Sequence, residues 1–317
     1  MELNEAMIVK RHEVDFTEIL SALWQGKLLI IFVSIIFSVA GVFYALSLPN
    51  VYRATTILAP VESEQGGMLS GLKSEFGGVA AMAGINIGGG TSNNAGLALE
   101  IMQSRAFLNS FVEKYDLKAK LLASKGWDLS SNTILFKDKL YDTETKQWLR
   151  QVKAPMQIEP SAQEVFDYMM ANNIEISEEK KKGIVRLSIS HFSPELAKFI
   201  VEHLVLEINL YMKQNDITEA EGKIEYLKSA LEETVVADMQ RIFYQLIEQQ
   251  EQTKMLAKTQ AQYVFKVIDP AVVPEQKSDP KRALICIGFS FFGLFLAVTI
   301  VLFRYFVIIK TKQREML

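Results

Sequence analysis

"LLIIFVSIIFSVAGVFYALSL" fills residues 28–48 without one charged side chain. At about 1.5 Å rise per residue, a helix of that length crosses a hydrocarbon layer roughly 30 Å thick. A soluble core helix this long carries a polar stripe, and this stretch has none. A second run, "ALICIGFSFFGLFLAVTIVLF" at 283–303, has the same length and the same lack of charge. Two transmembrane helices are expected, and they organise the rest of the chain. The first is expected to be an anchor and not a cleaved leader. A mostly polar, acid-rich segment of 27 residues precedes it, and it exceeds the apolar core of a leader.

With one span near each end, both termini belong on one side. Lys10, Arg11 and Lys27 flank the outer end of the first span, and Arg304, Lys310, Lys312 and Arg314 follow the second. The excess of cations near short segments places those ends in the cytoplasm, although Arg53, Lys281 and Arg282 on the far side make the bias modest. The expectation is a cytoplasmic segment 1–27, spans at 28–48 and 283–303, an external domain 49–282 and a cytoplasmic tail 304–317. The net charge of −3 is close to zero, and no nucleic-acid partner is expected. The one cysteine, Cys286, lies inside the second span, so the external domain holds together without a disulfide.

Working outward from the spans, "VYRATTILAP" (51–60) and "YVFKVIDPAVV" (263–273) read as strands, one leaving the first span and one leading to the second. If they pair, they pair antiparallel. "NNIEISEEKKKGIVRLSIS" reads as a hairpin turning at Gly183, with its second arm a candidate for the same sheet. Helices are expected elsewhere. Residues 97–117 show a helical apolar pattern, Ser161 and Glu164 form a capping box, and Ser193-Pro194-Glu195 opens another helix. That last helix carries Leu196, Phe199, Ile200, Leu204, Ile208, Tyr211 and Met212 at spacings of three and four. Long helices are expected at about 194–233 and 237–260, forming a hairpin. The fold class is α+β: two transmembrane helices flank a periplasmic domain with a membrane-proximal mixed sheet and a long protruding helical hairpin.

One stretch imitates a phosphate-binding loop. "GGVAAMAGINIGGGTSNNAG" (77–96) is glycine-rich, but its last consecutive glycine, Gly90, is followed by Thr91, Ser92 and Asn93 with no lysine. A Walker loop needs Lys and then Ser or Thr there, to reach phosphate and hold magnesium. No strand precedes it as a dinucleotide fingerprint requires. It is expected to bind no nucleotide and to be ordered only by neighbours. Its apolar run offers Val79, Met82, Ile85 and Ile87 as contacts for a partner. His12, His191 and His203 are scattered, and no metal spacing, nucleophile elbow or zincin motif is present. No catalytic residue, metal or cofactor is expected, and the chain reads as a non-enzyme.

"EVDFTEILSALWQGKLLIIF" (13–32) resembles the start of the Wzz-type chain-length determinants, the polysaccharide co-polymerases. "FKVIDPAVVPEQKSDPKRALI" (265–285), with Pro270, Pro274 and Pro280, resembles their proline-rich entry to the second span. The resemblance covers essentially residues 13–310 and implies a homo-oligomeric ring in the bacterial inner membrane. Such proteins work with a separate polymerase of lipid-linked O-antigen units and set how many units are added. Contact with the lipid-linked polysaccharide itself is a further implied partnership. Related capsule, exopolysaccharide and common-antigen co-polymerases are alternatives; some carry a cytoplasmic tyrosine kinase, and here "TKQREML" ends the chain at 317 without a tyrosine or a Walker motif. The competing classes are a two-helix membrane sensor and an export adaptor. On the first span, Ser34, Ser38, Gly41 and Ala45 form small faces suited to helix contact with a partner.

Overall fold

Alternation of small, β-branched and apolar residues makes Tyr52–Pro60 a strand that buries Ala54, Thr56 and Leu58 on one face. The structure, a computed structural model, describes residues 16–61, 92–179 and 181–315. In chain order the helices are α1 (Phe16–Gln25), α2 (Lys27–Ser47), α3 (Ser92–Met102), α4 (Arg105–Lys114), α5 (Lys118–Leu122), α6 (Ala162–Asn172), α7 (Pro194–Glu233), α8 (Ala237–Thr259) and α9 (Arg282–Glu315). The strands are β1 (Tyr52–Pro60), β2 (Ser124–Asp128), β3 (Thr133–Phe136), β4 (Tyr141–Asp142), β5 (Gln147–Trp148), β6 (Ile174–Glu179), β7 (Ile184–His191) and β8 (Phe265–Asp269). Residues 50–278 form one unit, and the two ends of the chain form another.

In the first unit the sheet order is β6-β7-β1-β8. β1 runs antiparallel to β7, from Tyr52 opposite His191 to Leu58 opposite Val185, and antiparallel to β8 on its other side. β6 and β7 are the two arms of a hairpin, turned by Gly183 at φ +64, a left-handed conformation that glycine adopts without strain. Thr56, buried in β1, donates to the Asp269 carbonyl at 2.8 Å, so its hydroxyl is not orphaned.

α7 lies across this sheet. Ser193 caps it through the Leu196 N–H, and Pro194 occupies its first turn. Its buried face, Ala197, Ile200, Val201, Leu204, Val205, Ile208 and Met212, meets Leu58, Leu187, Ile189 and Phe265 in the core. Each of the Ile, Val, Leu and Met side chains contributes roughly 1.5–3 kcal/mol on burial. α3, α4 and α5 close the flank with Leu99, Met102, Leu108, Phe111 and Leu121. Beyond Met212 the burial thins. Only Ile217, Ala220 and Ile224 of α7 and Ala257 of α8 are buried where the two helices pair.

In the second unit α2 and α9 pack along their length, Ser38 near Ser290, Phe37 near Phe292 and Tyr44 near Phe289. Both are long and apolar enough to cross a membrane, each with a mean hydropathy of 2.6. Only 11% and 17% of the two windows are buried, so Phe32, Phe43, Phe291 and Phe295 need an apolar phase outside the protein.

Three expectations are corrected. The sheet is antiparallel throughout and not mixed, because β1 lies between strands that both run against it. The helical pattern over 97–117 is broken: α3 ends at Met102, and the Ser104 side chain accepts from the Phe107 N–H to start α4. Residues 124–148, absorbed into an all-helical reading, contain the hairpins β2–β3 and β4–β5. Their turns are set by Asp128, whose carboxylate accepts from Ser130 and Ser131, and by Asp142, which accepts from Glu144 and Thr145.

Candidate functional surfaces

Four places collect the chemistry among the described residues. The first is the root of the long hairpin, where Asn209 sits fully enclosed on α7. Its Oδ1 accepts from the Val264 and Phe265 N–H groups at 2.7 and 2.9 Å. Its Nδ2 donates to the carbonyls of Val205 and Phe265, both at 3.0 Å. An asparagine has two acceptor sites and two donors, and here all four are used. Next to it, Tyr263 donates to Asp216 at 2.6 Å, and Lys213 donates to the carbonyls of Lys258 and Gln260. Burial, then the bond to Asp216, raises the Tyr263 pKa, so it remains a donor.

The second is on the flank, where α4 meets α7. Phe199 and His203 stack with centroids 3.8 Å apart, and Tyr115 stands edge-on to both. The His203 Nδ1 donates to the Phe199 carbonyl at 2.8 Å. Glu207 accepts from Lys114 at 2.7 Å and from Tyr115 at 2.6 Å. Burial pushes Tyr115 up to about 12, helped by Glu207. For Glu207 burial acts upward too, but the bonds from Lys114 and Tyr115 outweigh it and hold the carboxyl below its ordinary value. Beside this cluster Leu97, Leu206, Leu210 and Tyr211 leave apolar surface exposed. His191 packs elsewhere as a structural group: its Nδ1 accepts from the Ser193 N–H, its Nε2 donates to the Lys120 carbonyl, and burial lowers its pKa.

The third is a recess of about 390 Å³ between α6 and the β4–β5 hairpin. Trp148 and Tyr168 form walls, Leu140 and Pro160 line it, and Asp167 stands at its rim. Arg150 fixes its shape. It grips the Glu164 carboxylate with both Nη atoms, at 2.5 and 2.9 Å, and also donates to the carbonyls of Gln157 and Ile158. Those bonds hold Glu164 below its ordinary pKa, while Glu164 also completes the capping box with Ser161.

The fourth is the paired helices α2 and α9. Gly41 and Gly293 are sockets: a Cβ on Gly41 would stand 2.6 Å from the Cβ of Phe289, and one on Gly293 would stand 2.5 Å from that of Phe37. Ser38 and Ser290 are 2.8 Å apart across the seam. The small residues Ser38, Gly41 and Ala45 are therefore occupied by the chain's own second helix, with Gly41 and Ala45 buried and the Ser34 hydroxyl enclosed without a partner.

Pro270 ends β8, and Pro274 and Pro280 lie in the irregular stretch before α9. That irregular stretch is tied to the residue just before β1, as Ser278 N–H donates to the Val51 carbonyl at 2.9 Å. Val79, Met82, Ile85 and Ile87, with most of the glycine-rich stretch, and His12 lie outside the described residues. Among the described residues no three His, Cys, Asp or Glu side chains are grouped to hold a metal. The Trp148 recess was missed in the sequence because its walls come from residues twenty positions apart; the signal was Trp148 and Arg150 preceding a capped helix bearing Tyr168.

Residues 12–115 match the model of Wzz, the chain length determinant protein, and residues 232–306 match GNVR, a glycine-rich domain on putative tyrosine kinases. The two models cover the two end motifs, and the chain carries a chain-length determinant domain at 12–115. Among solved structures it is similar to a full-length bacterial polysaccharide co-polymerase, at 12% identity and a TM-score of 0.37 over 92% of this chain and 98% of the other. It is also similar to a fragment of WzzB, the polysaccharide co-polymerase from Salmonella Typhimurium, at 12% identity and a TM-score of 0.31 over 73% of this chain and 100% of that one. No curated protein matches the sequence. The assignment rests on the two sequence models.

Proposed function

We propose that this chain regulates the length of lipopolysaccharide O-antigen without catalysing its synthesis, as a homo-oligomer beside a separate polymerase of lipid-linked units. The observation that carries the reading is the chain-length determinant domain at 12–115. Placement in the bacterial inner membrane is supported by α2 and α9, whose apolar side chains lie mostly uncovered. The cations at 10–27 and 304–314 favour cytoplasmic termini, with 49–282 in the periplasm. Self-association is supported by the exposed strip Leu206, Leu210 and Tyr211 on α7, and by a hairpin too thin to bury its own apolar residues.

Deleting the gene and separating lipopolysaccharide on a gel tests this. A changed ladder, restored by the intact gene, is the expected result. An unchanged ladder with altered capsule or exopolysaccharide length moves the reading to that polymer, and a defect in export or sensing alone overturns it. Within this reading Val79, Met82, Ile85 and Ile87 dock on a partner, another copy or the polymerase. Replacing all four by serine is expected to shift the ladder while the protein stays folded in the membrane; an unshifted ladder makes that segment a passive spacer.

A further inference from the structure

The recess between α6 and the β4–β5 hairpin has the chemistry of a ligand site that the fold does not use for itself. Its size falls in the range of small-molecule pockets. Its floor is preset, because Arg150 and Glu164 lock the loop between β5 and α6 in four hydrogen bonds. Three polar groups on its lining have no partner among the described residues. They are the Trp148 indole N–H, the Tyr168 hydroxyl and the Asp167 Oδ2; the other Asp167 oxygen accepts from Gln163 at 2.8 Å. Burial raises the Tyr168 pKa, so its hydroxyl keeps its proton.

The combination selects a ligand class. Asp167 opposes an anion, and Arg150 offers no free charge because Glu164 neutralises it. A purely apolar ligand would cover the indole N–H and the Tyr168 hydroxyl without a partner for either, and would make no use of the exposed Asp167 carboxylate at the rim. A neutral polyol with one apolar face meets every requirement: its C–H face lies against Trp148, and its hydroxyls reach Asp167 and Tyr168. We propose that this recess is a saccharide subsite, where the chain holds one unit of the polysaccharide whose length it regulates. The proposal rests on the polysaccharide reading above.

The test uses the full-length protein in detergent micelles and, as probe, polysaccharide released by mild acid from the lipopolysaccharide of the source strain. Equilibrium binding is measured for the wild type, Trp148→Ala, Asp167→Asn and Tyr168→Phe. Loss of the indole is expected to weaken binding about tenfold, and each polar change several-fold. Tyr168→Phe keeps the ring, so its effect is separable from misfolding, which far-ultraviolet circular dichroism checks. Saturation-transfer signals concentrated on C–H protons of one face of the sugar are the spectroscopic counterpart. Equal affinity in all four proteins overturns the site. Absence of binding by the wild type, in a strain whose ladder still depends on the gene, overturns the subsite and leaves the length-control reading standing. Binding lost in the variants, in a strain whose ladder ignores the gene, keeps the site and removes that reading.

Discussion

The two halves of α7 are one continuous helix held by different physics. From Pro194 to Met212 one face is enclosed by sheet and flanking helices. From Lys213 to Glu233 the same helix packs mainly on α8, with Lys213 and Asp216 also bonded to Gln260 and Tyr263 at its root, and past Ile224 none of its residues is buried. Tyr226 is 73% exposed and Val235, at the turn, 94%. The near half draws its stability from tertiary burial. The far half depends on one narrow seam, on helix propensity and on surface pairs such as Lys223 with Glu219. Most helical stability in proteins comes from packing of an apolar face, and the far half has little of it, so that is where a second copy has most to add.

Four measurements break or sharpen this contrast. Asn209→Ala carries the largest expected effect. It leaves the Val264 and Phe265 N–H groups enclosed without an acceptor, at about 3–5 kcal/mol. Denaturant unfolding reads the loss, and hydrogen exchange at those two amides locates it. The next is a matched pair, Leu204→Ala against Ile224→Ala. The first leaves a cavity in a packed core and costs about 3 kcal/mol; the second opens onto a seam that can collapse, at about 1 kcal/mol. Equal losses would mean that the two halves are supported alike.

The third is pH. The Glu207 pKa lies below its ordinary 4.5 when folded, so the stability it adds is present above 4.5 and is lost as pH falls through the lowered value. Tyr115 has the opposite sign: raised from 10.0 to about 12, it contributes below pH 10 and loses that contribution as pH climbs through about 12. Both groups serve the near half, so acid is expected to raise hydrogen exchange at α4 and around Glu207 by under about 1 kcal/mol, an effect that Glu207→Gln removes. Uniform acid sensitivity along α7 would contradict this. The smallest effect is Lys223→Ala, within about 0.5 kcal/mol by thermal unfolding, because its pair with Glu219 is exposed on both sides.

Much of the fold was legible because its signals are local or strongly periodic. Two chargeless runs, the Ser161 and Ser193 caps and the apolar stripe of α7 need only neighbouring residues to be understood. The antiparallel pairing of β1 with β8 followed from one strand leaving and the other returning to the spans. What stayed hidden depends on distance. Nothing in "DLSSN" or "DTETK" fixes a hairpin until Asp128 and Asp142 gather their turn donors. The small faces of α2 were visible, but which helix fills them depends on Phe289 arriving from the other end of the chain. The Trp148 recess depends on Arg150 reaching fourteen positions forward to Glu164.

The absence of any break in α7 between core and turn has a mechanical consequence. Asn209 clamps that helix to the strand returning toward the second span, and from there to Glu233 it runs on as an unbroken rod. From the clamp to Glu233 the rod is about 36 Å long at the usual helical rise. A tilt of about 5° at the clamp therefore swings its end by about 3 Å, on simple lever geometry from that rise. A small strain at the root is amplified at the far turn, and a load on the far turn is felt at the root as torque on Val264 and Phe265.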